Sequence, residues 1–211
     1  MAETPAPTTP PAPSAPIARI SKKLNLVIPV DRDDGSTVYV HSTPIPKELF
    51  ERKWMVMSRA LNMINLVAGG PLAGIRTAVY ALRDSARQTG DLDGPDGIEE
   101  ILLPEIWRLT NVIVPSGRSW EPMPLADAVR EGKLSDEDRS EVEHAVCFFI
   151  LCSLIQSRAE LAKTLTGLEL LLDARTTLST PTAFAASLPT SNGAETSGAT
   201  PPPPDRSSPV F

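Results

Sequence analysis

The residues that most often carry chemistry are scarce here: 2 cysteines and 2 histidines in 211 residues. Two cysteines do not make a disulfide scaffold. Cys147 and Cys152 lie five positions apart, which on a helix sets them about 140° apart around the axis. On one helix they can neither bridge nor hold a metal together. His144 and Cys147 share a face, but zinc takes about four ligands, and His41, the other histidine, falls in a predicted strand. Catalytic, cofactor and metal sites are therefore not expected. No Ser or Cys stands with His and Asp in a pattern for nucleophilic catalysis, and the acid pairs in "DEDRSEVE" suit a helix start better than acid–base work.

Basic runs are missing as well. No Lys/Arg run exceeds two residues, and the formal net charge is -6. A nucleic-acid partner needs a basic stripe to displace counterions, so none is expected. The start, "MAETPAPTTPPAPSAP", lacks the basic residues and apolar run of a secretory signal, so cytoplasmic synthesis is the simplest expectation. Nor is a membrane span expected. The greasiest stretch, "HAVCFFILCSLIQ", holds eleven apolar or near-apolar residues at 145–155, whereas a span takes about 20. A helix apolar all round belongs at the centre of a bundle, so both cysteines are expected to be buried and unbridged, with Phe148 and Phe149 packing on different neighbours. "AGGPLAGIR" lacks the strand and the Gly-Lys-Ser/Thr of a phosphate loop, and "DRDDGS" lacks the distant glutamate of a calcium loop.

Proline is plentiful but uneven: of 22, six fall in residues 1–16 and seven in residues 179–211. Those ends have little to bury and are predicted to be disordered Pro/Ser/Thr-rich tails. The domain is then residues 17–178. Within it, residues 24–30 alternate Leu24, Leu26, Ile28 and Val30 on one face, and "TVYVHS" is β-branched and aromatic. With "DRDDGS" between them, residues 24–42 read as a β-hairpin. It is expected to pack on helices or to pair with strands of its own or another chain.

Apolar periodicity then predicts helices. One starts at Thr43 or Pro46 and carries Phe50, Trp54, Met57, Leu61 and Ile64. A second runs from Pro71 with Leu72, Ile75, Val79, Leu82 and Ala86. A third has Ile98, Leu102, Ile106 and Leu109, and either kinks or restarts at Pro104. "PSGRSWEPMP" reads as an irregular connector, and "LADAVREGKL" as a short helix ended by Gly132. Ser135 caps a long helix running at least to Leu165, with Gly167 as its interruption. The sum is a mainly α fold, a single helical bundle of about five helices with an N-terminal β-hairpin. Trp54, Trp107 and Trp120 are expected to pack in the core. If function lies on the surface, Trp120, Met123 and Tyr39 are the candidate partner-binding residues, Trp120 being the best placed as an anchor.

Three stretches, "LNLVIPVDRDDGSTVYVHSTPIPKELFE", "SWEPMPLADAVREGKLSDEDRSEVEHAVCFFILCS" and "SLPTSNGAETSG", together resemble tail assembly chaperones of long-tailed (siphovirus-like) bacteriophages. The likeness covers residues 24–51 and 119–198. It implies a non-enzymatic protein of the infected host's cytoplasm, absent from the mature virion. Its partners would be the tape measure protein, which the family keeps soluble, and the tail tube protein, with a homo-oligomer left open. Many such families also make a longer frameshifted form. The rival is a structural virion protein, such as a tail completion or head–tail connector component, that pairs its hairpin with neighbours in a ring.

Overall fold

A computed structural model describes residues 24–32, 34–67 and 71–190 of the chain. The predicted hairpin is there: β1 (Asn25–Asp31) pairs antiparallel with β2 (Thr37–Ser42), from Leu26 opposite Ser42 to Asp31 opposite Thr37. Gly35 takes φ 78° in the turn, where a side chain would be strained. The Arg32 N–H donates to the Ser36 carbonyl at 2.8 Å. Helices α1 (Lys47–Val67) and α2 (Pro71–Thr89) follow, and the predicted stop at Gly69-Gly70 lies outside the described residues.

The mainly α, five-helix reading is overturned. Seven α-helices, a π-helical turn and a five-stranded antiparallel sheet, in the order β4-β3-β2-β1-β5, make a mixed α/β fold among the described residues. The largest departure follows Pro104. The π-helical turn Ile98–Leu102 leads into α3 (Leu103–Arg108), which has Pro104 in its first turn. The chain then becomes β3 (Thr110–Ser116) instead of more helix. Thr110, Val112, Ile113 and Val114 are stiff β-branched residues that suit a pleated surface, and Val112 lies opposite Val40 of β2. The supposed connector is β4 (Ser119–Pro124), turned back on β3 at Gly117 with φ 61°. Its prolines are tolerated because β4 is an edge strand.

After α4 (Leu125–Arg130) comes α5 (Asp136–Ile155), its first turn capped by the Ser135 side chain. This helix stops ten residues short of the expected end. Ser157 and Glu160 form a reciprocal capping box that starts α6 (Arg158–Leu172), and two satisfied backbone donors favour the restart. Gly167 lies inside α6 and interrupts nothing. The described chain also continues past Leu178. After β5 (Arg175–Thr177), α7 (Pro181–Ser187) occupies part of the stretch read as a tail. Residues 1–16 and 191–211 of the predicted tails lie outside the described residues.

The sheet separates two packing layers. Strand alternation sends Leu26, Ile28, Val38, Val40, Val112 and Val114 inward, to join α1, α2, α3 and α5 in the main core. Every residue from His144 to Cys152 is buried, as the apolar stretch predicts. Phe148 packs against α2 at Gly74, where even a Cβ would collide with its ring and with Ile64. Trp107 packs against the core, but Trp54 is 50 % exposed, against expectation. Its i−4 and i+3 neighbours Phe50 and Met57 are more buried, so the apolar stripe of α1 is narrower than its sequence suggests. No helix among the described residues is long and apolar enough to cross a membrane.

Candidate functional site

β1 is flanked by β2 along six residues but by β5 only at Asn25, Leu26 and Val27. Beyond Val27 its outer edge pairs with no strand among the described residues. Antiparallel ladders point successive residues' backbone groups alternately to either side. Counting from the Arg32–Ser36 bond, Pro29 turns outward, so its missing N–H falls on the open edge. This is the position a sheet allows proline, and it blunts chance pairing there.

A groove of about 860 Å3 runs along this edge. Its walls bring together β1, the first half of α5, the end of α6, and α7. Val30, Val142, Leu171, Leu172, Phe184 and Leu188 supply apolar surface, and Asp31, Asp138, Glu141 and Asp173 supply acid, against Arg175 as the only base among the described residues that line it. Asp173 ends α6 in the left-handed conformation at φ 48°, which turns the chain sharply from the helix into β5. Leu171, at 52 % exposed, and the neighbouring Leu170 add apolar surface outside the core.

The groove continues onto the outer face of the sheet, which α7 covers like a strap. Tyr39 of β2 meets Trp120 of β4 edge-on, with ring centroids 5.5 Å apart, and meets Phe184 of α7 at 5.8 Å. Phe184 also lies 6.0 Å from the His41 ring. Three polar contacts fasten the strap. The Ser179 carbonyl accepts from Asn25 Nδ2 at 2.7 Å and from His41 Nε2 at 3.0 Å, and the Pro189 carbonyl accepts from Trp120 Nε1 at 2.7 Å.

Of the three predicted partner-binding residues, Tyr39 and Trp120 thus come together on the outer face, where the strap partly covers them. Met123 does not join them. It lies opposite Val112, on the inward face, packed against the main core. Sequence reasoning missed Phe184, Ser179 and the α6 leucines. Pro29 was a usable signal, since a proline inside a strand pattern marks an edge.

The titratable groups are arranged for structure. A carbonyl can only accept, so His41 Nε2 carries a proton, and Nδ1 is buried without a hydrogen-bond partner among the described residues. Burial pushes the His41 pKa below its ordinary value. His144 Nδ1 accepts from the Val79 N–H at 3.1 Å, and its pKa is lowered by burial and then by the Arg83 charge. Cys147 and Cys152 are unbridged, and burial raises both thiols to about 12, so neither supplies a thiolate near neutrality. The Lys53 ammonium is buried, paired with Asp91 at 2.6 Å and donating to the Asp96 carbonyl. It pins the glycine-rich loop after α2 to α1. No group of three or more His, Cys, Asp or Glu among the described residues is placed to hold a metal. Comparison of the chain with family models, with curated proteins and with solved structures finds no match.

Proposed function

We propose that this chain is a non-enzymatic assembly chaperone that binds an apolar segment of a phage tape measure protein in the groove along the open edge of β1. The observation that carries the reading is the groove itself. Its volume falls within the roughly 300–1,000 Å3 of binding clefts, it joins apolar walls to an acidic rim, and the polar chemistry around it serves the fold. Laying an apolar face into such a groove is a common way to hold a helical segment. The resemblance of residues 24–51 and 119–198 to tail assembly chaperones supplies the partner, with the tail tube protein as a second. On this reading the protein works in the infected host's cytoplasm and leaves before the virion is complete.

The connector alternative needs free hairpin edges. Here β2 is paired on both sides, and β1 leaves only residues 28–31 unpaired among the described residues, with Pro29 withholding an N–H there, which weighs against a ring built by the hairpin. Co-expression with the tape measure protein tests the reading. The expected outcome is a soluble tape measure protein that co-purifies with this chain, and no trace of this chain in purified virions by mass spectrometry. An insoluble tape measure protein with nothing co-purifying would refute it.

A further inference from the structure

The groove's acidic rim and apolar walls have a counterpart in the same chain. Residues 17–23, "IARISKK", directly precede β1 and carry Arg19, Lys22 and Lys23 with Ile17 and Ile20. The groove offers Asp31, Asp138 and Glu141 beside Val30, Val142 and Leu172, while its fourth acid, Asp173, is paired with Arg175 at 3.5 Å. We propose that residues 17–23 dock in this groove, beside residues 28–31 of β1, as an intramolecular occupant that an incoming partner must displace. This goes beyond the chaperone assignment and is tested without any tape measure protein.

Reach and charge both favour the tethered segment. The distance along the strand from residue 24 to residue 28 is about 14 Å, and seven extended residues span about 23–25 Å. A segment that turns back at residue 24 therefore passes β5 and reaches the open edge. Tethering at the groove's own wall gives it a local concentration on the order of millimolar, so weak contacts suffice. Pro29 withholds one backbone donor from the edge, which leaves side-chain burial and ion pairing as the main attractions. A second copy of the chain is a poorer occupant, because it would bring a second acidic rim against the first, and like charges facing each other oppose association.

Amide exchange of the full-length protein, followed by mass spectrometry over residues 24–31 and 168–175, tests this. The Arg19→Glu, Lys22→Glu, Lys23→Glu triple variant keeps every described residue and removes the attraction. Its exchange over both stretches should be about tenfold faster than wild type. Adding Glu141→Lys to that variant should bring the exchange back toward the wild-type rate, which a general loosening of the fold would not do. Wild-type exchange rates in the triple variant would overturn the proposal. So would protection that strengthens with protein concentration, since a second copy would then be the occupant.

Discussion

The inner face of the sheet sends Val38, Val40, Val112 and Val114 into a core shared with α5, whereas among the described residues the outer face meets a single seven-residue helix and the short segments beside it. Inside, the contacts are apolar and close enough that Gly74 has no room for a Cβ beside Phe148. Outside, Val27, Ile113 and Ala185 are buried but stand apart from the main core, and the strap is held by three hydrogen bonds and the Phe184 ring. A layer that thin can open at little cost, as binding surfaces often do. The inner body is then the scaffold, and the β1 edge with its strap is the adaptable part.

That contrast can be broken by mutation. Phe148→Ala should be the most damaging change, costing about 3–5 kcal/mol and lowering the melting temperature by roughly 10–15 °C, as read from denaturant and thermal unfolding. Lys53→Met should come next at about 2–3 kcal/mol, because Asp91 and the Asp96 carbonyl lose the buried ammonium that ties their loop to α1. On the outer face, Phe184→Ala should cost about 1–2 kcal/mol, and the loss should be local. Amide exchange in α7 and β5 should quicken while α5 stays protected. If α5 exchange rises equally, the two layers are one cooperative unit and the contrast fails.

The smallest effect is in pH. Both histidines have pKa values below the ordinary 6.5 in the folded state. Just below pH 6.5 the unfolded chain therefore binds more protons than the folded one. Each contribution is present above that pH and is lost as pH falls through the folded value. His41→Gln should flatten the pH dependence of strap exchange, and His144→Gln that of global unfolding. The reverse assignment would put the histidines in the wrong layers.

Local signals with one physical meaning were readable in the sequence. Gly35 marks the hairpin turn, Ser135 the start of α5, and the apolar length of residues 145–155 the central helix. Where two codes competed, the reading failed. The third apolar stretch fits a helical period as far as Leu109, but its β-branched end goes to a strand once β2 offers an edge to pair with. The prolines of β4 read as loop because only the finished sheet reveals that strand as an edge. The Ser157 and Glu160 spacing is itself a capping-box pattern, a signal that the reading of one long helix to Leu165 passes over. The groove was not legible at all, since it is assembled from β1, α5, α6 and α7, elements far apart in sequence. Tyr39 and Trp120 lie on the outer face and Met123 on the inner one, a separation that only the β3–β4 register decides.

The account's central claim is that a partner binds along the open edge of β1. The most direct test is an exchange footprint of the tape measure complex formed by the Arg19→Glu, Lys22→Glu, Lys23→Glu variant, in which no tethered segment competes for the groove, compared with that variant as a free chain. Slower exchange at residues 27–31 and 171–173, with the exposed α1 and α2 side around Trp54 and Tyr80 unchanged, is the predicted result. Protection around Trp54 and Tyr80, with residues 27–31 exchanging as in the free chain, would contradict it.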